Sequence, residues 1–308
     1  MELTKDFQFT SVSGRIPPSP LPNPLGPLAE LPGIWKGRGF NQIWRPFHGT
    51  QDRFLELNET LETLTFEEIP GDIPNRGLLQ ADINLHGVTY LQQVQDANVL
   101  GPNGKPAGIH VEPGIWVSVP VTTNPQDPAT VARLANIPHG TSLVAQGSAL
   151  PAINHAPPFA PVSIKPFPIG APQSPINFPE TNLAVPSAFR TPPGDIPHVT
   201  QAMVDNPNVV LAQAIVGQNI TSTSTLIIST TDLNPPTSGG GTSNIAFLQG
   251  AIGGPNALAA RLDAIFWIET ITEPNGYTRH QLQYSQIVLL NFNGLSWPHV
   301  SVATLVKQ

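Results

Sequence analysis

Short runs of alternating apolar and polar residues recur along most of this chain, the period expected of half-buried strands. The first such run is "ELPGIWKGRGFNQIWRP". In "RFLELNETLETLTFEEIPG" two apolar runs flank Asn58-Glu59, which predicts a hairpin there. "INLHGVTYLQQVQD" and "GIHVEPGIWVSVP" follow as strands joined by the turn residues "GPNGKPAG", and "TVARLANIPHGTSLVAQG" completes an antiparallel series. Strands resume with "NITSTSTLIISTTD", "IAFLQGAIGG", "ARLDAIFWIETITE" and "HQLQYSQIVLLNF", with "PPTSGGGTSN" read as a loop. Asn-Gly pairs at 275–276 and 293–294 mark hairpin turns. The last run, "WPHVSVATLVKQ", places His299, Ser301, Ala303 and Leu305 on one face and Val300, Val302 and Thr304 on the other.

Nine to eleven strands joined mostly by short turns predict an all-β fold, an antiparallel β-barrel of about ten strands, with residues 1–308 as one domain. Two stretches break the pattern. Residues 1–30 contain "RIPPSPLPNPLGP" and read as an irregular arm. Residues 148–218 form a Pro-rich insertion in which Ile164, Phe167, Ile169, Ile176, Phe178 and Phe189 supply apolar anchors. Such a segment is expected to wrap over the barrel as ordered, mostly irregular chain. A short helix split near Pro207 is expected within "HVTQAMVDNPNVVLAQAIVG".

Composition narrows the function. Charged residues are only 11% of the 308, against 36 Pro and 26 Gly. That is under half of the charged fraction of about 25% in ordinary domains, and it argues against a helical protein. A net charge of −7, with 14 scattered Lys and Arg, provides no footprint for nucleic acid and no polybasic membrane patch. The absence of cysteine excludes disulfides, Fe–S clusters and thiolate zinc sites. No signal-peptide core or membrane-spanning run is found, so a cytoplasmic protein is expected.

Several short patterns carry no chemistry. "GPNGKP" lacks the spacing and the Ser/Thr of a phosphate loop. Glu67 and Glu68 are adjacent and fall on opposite faces of a strand. No Gly-x-Ser-x-Gly elbow is found. His299 alone reads either as a satisfied polar group or as a ligand inside the barrel.

The opening segment, with Gly33, Trp35, Gly37 and Gly39, resembles the Gly-x-Trp-x-Gly-x-Gly signature of nitrobindins, small β-barrel haem proteins related to the fatty-acid-binding class. Asn41 stands where that signature has a further glycine, and "IWRP" replaces its Tyr-Pro end. "HVEPGIWV" resembles the family's Glu-x-Gly-x-Trp strand, carried by Glu112, Gly114 and Trp116. "IPHGTSLVAQG" is similar to its His-Pro-Thr-Gly segment, with Gly140 and Gly147. "WPHVSVATL" looks like the family's closing strand, in which a histidine is the proximal haem ligand. The matches cover residues 27–147 and 219–308, and the chain is longer than the family's usual barrel.

The resemblance implies haem b as cofactor, with His299 as the iron ligand and Trp35, Gly37, Gly39, Trp116 and Gly140 around the pocket. It implies nitric oxide binding or peroxynitrite isomerisation, and a peroxidase-type reaction if His139 enters the pocket as the catalytic distal residue. His86 and His110 are further distal candidates, while His48, His155, His198 and His280 read as loop residues. The alternative is a carrier of a fatty acid or other apolar ligand, with Arg133 and Tyr90 as candidate carboxylate partners. In either case the partner is a small molecule. The insertion has the length to cover the barrel mouth or to form a homodimer interface.

Overall fold

The computed structural model describes residues 23–46, 49, 51–137, 140–231, 239–245 and 257–308. Its strands in chain order are β1 (Gly33–Arg45), β2 (Phe54–Glu68), β3 (Ile73–Asn75), β4 (Ile83–Leu100), β5 (Pro106–Val119), β6 (Thr130–Ile137) and β7 (Thr141–Ile153). They continue with β8 (Phe167–Pro168), β9 (Ile220–Ser229), β10 (Gly239–Asn244), β11 (Leu258–Thr272), β12 (Thr278–Phe292) and β13 (Leu295–Lys307). Two short helices, α1 (Gln201–Asp205) and α2 (Val209–Ala214), precede β9, and Pro207 separates them.

Ten of these strands pair antiparallel in the order β1-β2-β4-β5-β6-β7-β9-β11-β12-β13, and β13 returns to β1. The closing seam pairs Trp35 with Lys307 and runs to Gln42 opposite Val300. This is the expected all-β barrel. Closure removes the free edges that an open sheet would leave.

Gly37 shows why the first strand is glycine-rich: a Cβ there would lie 2.0 Å from the Thr304 carbonyl oxygen. At Gly39 it would lie 2.8 Å from the Glu62 carboxylate inside the barrel. These glycines therefore serve close backbone approach at the seam.

Two apolar cores flank the wall. The inner one fills the lower barrel with Trp35, Leu64, Phe66, Val88, Trp116, Phe266, Leu282 and Leu305. Leu25, Leu28 and Leu31 plug the floor from a 3₁₀ turn at Gly26–Leu28, within the arm that was expected to be wholly irregular. The outer core lies between β1, β2, β11–β13 and the Pro-rich segment. Trp44, Leu57, Trp267, Trp297, Val300 and Val302 meet Ile164, Ile196, Val204 and Leu211 there. Trp44 Nε1 donates to the Ile164 carbonyl at 2.9 Å, and Gln42 Nε2 to that of Met203 at 2.8 Å. Arg190 gathers the wrap by donating to the carbonyls of Glu180, Asn182 and Val185.

Four expectations need correction. Asn58-Glu59 is no turn: β2 runs through it, because thirteen consecutive residues of β1 pair along β2. Residues 239–244 are not loop but the strand β10, paired with β7; bare glycine backbone allows that contact, since a Cβ on Gly240 would lie 2.0 Å from the Val144 oxygen. Ile169 is exposed and anchors nothing. His280 lies on β12 rather than in a loop. Of "IAFLQGAIGG", residues 246–254 lie outside the described residues.

Candidate functional site

The parity of β13 decides which side chains enter the barrel. Leu305 and Ala303 belong to the inner core while Val300 and Val302 belong to the outer one. Trp297 has the parity of Leu305 yet joins the outer core at the start of the strand. His299 and Ser301 share the parity of Ala303 and Leu305, and His299 pairs with Val288, which packs against the inner core, so both point inward. They sit toward the mouth, the end opposite the Leu25–Leu31 plug. Inward side chains of the lower barrel are buried, whereas His299, Ser301, Gln286, Val288 and His110 keep partial exposure.

His299 Nε2 lies 2.9 Å from Asn41 Oδ1, and Ser301 Oγ donates to the same oxygen at 2.7 Å. Because that carbonyl only accepts, the imidazole donates through Nε2–H.

A polar plate crosses the lumen beneath this group, and it has two halves. In the first, Tyr284 donates to Glu62 Oε2 at 2.6 Å, Thr60 to Glu62 Oε1 at 2.8 Å, and Gln92 Nε2 to the Tyr284 hydroxyl at 3.0 Å. Burial pushes the Glu62 carboxyl up, against these hydrogen bonds. In the second, Arg133 donates through one nitrogen to the Glu112 carboxylate, through Nε to the Tyr90 hydroxyl at 2.9 Å, and through Nη1 to Gln286 Oε1 at 2.7 Å. Tyr90 also donates to Glu112.

The guanidinium lies within 6 Å of the ring centroids of Tyr90, Trp116 and Phe266, so cation–π attraction adds to the ion pair. Burial alone raises the Glu112 carboxyl. Arg133 beside it, with hydrogen bonds from His110 and Tyr90, outweighs burial and holds it at about 2. His110 Nε2 sits 3.2 Å from the other Glu112 oxygen, on the mouth side of the plate.

The structure brings together some of the residues singled out in the sequence and separates others. Gly39 pairs with Ala303, four residues from His299 along β13, or about 13 Å of strand. Gly140 turns the chain between β6 and β7 at the mouth end, with a φ of +105° that favours glycine. Trp35 belongs to the floor, where its Nε1 donates to the Leu31 carbonyl. It lies opposite Lys307, eight residues from His299 along β13, or about 26 Å of strand. Trp116 lies under the plate, edge-on to Phe266.

His139 and His48 lie outside the described residues. His86 is near the floor, 3.7 Å from Asp72, remote from any distal position. His155 and His198 are exposed.

Arg133 and Tyr90 do converge, yet on Glu112. Any carboxylate receptor they form is filled by the chain's own carboxylate. Glu62, Asn41, Tyr284 and Gln286 were not foreseen as site residues, although their inward parity on predicted strands was available. Two hollows, of about 260 and 220 Å³, lie outside the lumen, one beside Gln218 and Arg279 and one between Arg38, Glu59 and α2.

Comparison with known proteins gives the fold little company. No family model matches the chain, and no curated protein matches it. Among solved structures, the crystal structure of Rv2717c from M. tuberculosis is similar at a TM-score of 0.42 and 16% identity, covering 94% of this chain and 99% of that one. Among the described residues, no cluster of three or more His, Asp or Glu suited to a metal ion occurs, and no helix is long and apolar enough to cross a membrane. The class that the fold defines is a closed ten-stranded antiparallel β-barrel with partly exposed polar side chains at its mouth.

Proposed function

We propose that the barrel binds haem b through His299. The observation that carries this reading is the inward, mouth-side imidazole oriented by Asn41. A haem iron takes a single axial histidine, so a three-residue metal cluster is not required. Ligating histidines characteristically donate their second ring nitrogen to a carbonyl or carboxylate. Asn41 supplies such an acceptor, its Oδ1 lying 2.9 Å from Nε2. The donor set therefore fits the group.

Haem held this way supplies a site for small diatomic and peroxidic molecules, which makes nitric oxide binding, peroxynitrite isomerisation or peroxidase-type oxidation the reactions to assay. The chain's own contribution is positional. Asn41 and Ser301 orient His299, Val288 and Leu262 provide apolar wall on β12 and β11, and the Arg133–Glu112 plate closes the lumen below. A carrier of fatty-acid carboxylates is the weaker reading, because Glu112 already neutralises Arg133.

The test is the visible spectrum of the full-length chain titrated with haemin, beside His299→Ala. A Soret band that the variant loses supports the reading. A wild-type chain that refuses haemin, or a variant with an unchanged spectrum, overturns it.

A further inference from the structure

The hollow between the barrel wall and α2 has a charged floor and an apolar roof. Phe40 and Trp44 of β1 and Leu57 of β2 belong to the outer core, so alternation places Arg38 and Glu59 on the same outward face. In the β1–β2 ladder Arg38 lies opposite Leu61, and Glu59 opposite Phe40. The two are therefore diagonal neighbours, with backbones about 7–8 Å apart. Both line the hollow, together with Thr304, Met203, Val210 and Ala214.

The roof is fixed from below. Val210 and Ala214 stand four residues apart on α2 and so share one face of the helix. Two buried glutamines of the wall pin the helices: Gln42 Nε2 donates to the Met203 carbonyl at 2.8 Å, and Gln283 Nε2 to that of Leu211 at 3.1 Å. The enclosed volume of about 220 Å³ equals that of about seven liquid waters. It falls below the roughly 300–1,000 Å³ of a drug-sized site, and it suits a ligand the size of one amino acid.

The opposite charges do not meet. Among the described residues, Arg38 makes no ion pair and no side-chain hydrogen bond. Directly across the seam from it, Thr304 Oγ1 accepts from Gln283 Nε2 at 2.6 Å, which leaves the hydroxyl proton free to donate. Arg38 and Thr304 thus offer donors to an anion side by side. Glu59 is held by Asn98 Nδ2, which donates to it at 2.7 Å, and by His198 Nδ1, 3.2 Å from its Oε1. An ionised carboxylate with these two partners still has acceptor capacity for a cation.

We propose that this hollow binds a free α-amino acid with an apolar side chain. Its carboxylate meets Arg38 and Thr304, its ammonium meets Glu59, and its side chain packs against Met203, Val210 and Ala214. A simple carboxylate leaves Glu59 facing like charge, and a simple amine does the same to Arg38. A zwitterion answers both. The site lies outside the barrel and does not depend on the haem reading.

The experiment is isothermal titration calorimetry of the full-length chain with leucine near neutral pH, beside isocaproate, leucinamide and glycine, which lack the ammonium, the carboxylate and the side chain respectively. Leucine should bind with a Kd below about 1 mM, and each analogue at least about tenfold more weakly. Arg38→Gln and Glu59→Gln should each weaken leucine by a similar factor at unchanged Tm. Ala214→Trp, at an exposed helix position, should fill the hollow and abolish binding without touching either charge. Absence of binding by leucine, valine and methionine up to about 10 mM overturns the proposal. So does isocaproate binding as tightly as leucine, which removes Glu59 from the site. Unchanged affinity in Ala214→Trp places the ligand elsewhere and overturns it too. Should a charge variant lose its fold, the analogue series on the wild type and Ala214→Trp still decide.

Discussion

His299 on the last strand and Asn41 on the first meet across the closing seam, with Nε2 2.9 Å from Oδ1. The same contact finishes the barrel and orients the candidate ligand. Asn41→Ala removes the acceptor and frees the imidazole to rotate. Haemin affinity measured by absorbance titration should fall 10- to 100-fold, the usual cost of losing a ligand's outer partner.

The Arg133–Glu112 pair is buried, so removing one member leaves an uncompensated charge. Arg133→Met should cost about 3–5 kcal/mol, read as a lower urea midpoint at unchanged slope. The double variant Arg133→Met/Glu112→Leu should recover most of that loss, since it strands no charge.

Glu269 lies on the outer face of β11 beneath the wrap. Gln281 donates to one of its oxygens at 2.6 Å, and the other oxygen is buried without a hydrogen-bond partner. Burial pushes its carboxyl up to about 7, against that one hydrogen bond. The folded state then holds a proton that an unfolded glutamate, with a pKa of about 4.3, has lost. Stability should therefore fall as pH rises from about 4.3 to 7 and level off above that. Glu269→Gln should flatten this slope and gain on the order of 2–3 kcal/mol at pH 8, measured by urea denaturation across pH.

At the seam, Gly37→Ala would place a Cβ 2.0 Å from the Thr304 oxygen and 2.9 Å from the Leu305 Cα, both backbone atoms. Neither can swing aside, so the strands must part. The expected loss is about 3 kcal/mol or more, seen as a lowered Tm. At Gly104, where nothing lies within 4 Å but φ is +72°, alanine should cost about 1 kcal/mol, from backbone strain alone.

Arg190→Met should loosen the wrap, because three carbonyls lose their donor. A cost of about 2–3 kcal/mol is expected. Limited proteolysis between residues 180 and 190 should accelerate, and the tryptophan emission of Trp44 and Trp297 should shift red.

Alternation made the barrel legible, since period 2 fixes strand identity and groups His299 with Ser301, Ala303 and Leu305 on one face; which face is inward took the packing of Ala303 and Leu305 to settle. The hairpin expected at Asn58 was misleading because Asn-Glu is also an acceptable mid-strand pair once its amide has a partner, here Asp96 at 2.8 Å. The lumenal plate was less visible. Tyr284 and Glu62 are 222 residues apart, and parity alone says which way a side chain faces, not the depth at which it meets others. Attention to histidine as the strong ligand type also drew weight away from Glu62, Glu112 and Arg133, whose charges on inward positions were themselves the signal. Trp35 shares the motif of Gly37 and Gly39, yet a strand climbs about 3.3 Å per residue, so a contiguous motif spans much of the barrel's height.

The wrap covers β1, β2 and β11–β13 but leaves Leu91, Val111, Val144 and Ile227 exposed on the outward faces of β4, β5, β7 and β9. Among the described residues, the wrap thus covers one side of the cylinder. Local opening is cheapest where fewest apolar contacts are broken, so in hydrogen exchange the backbone amides of β5 and β6 should exchange before those of β13.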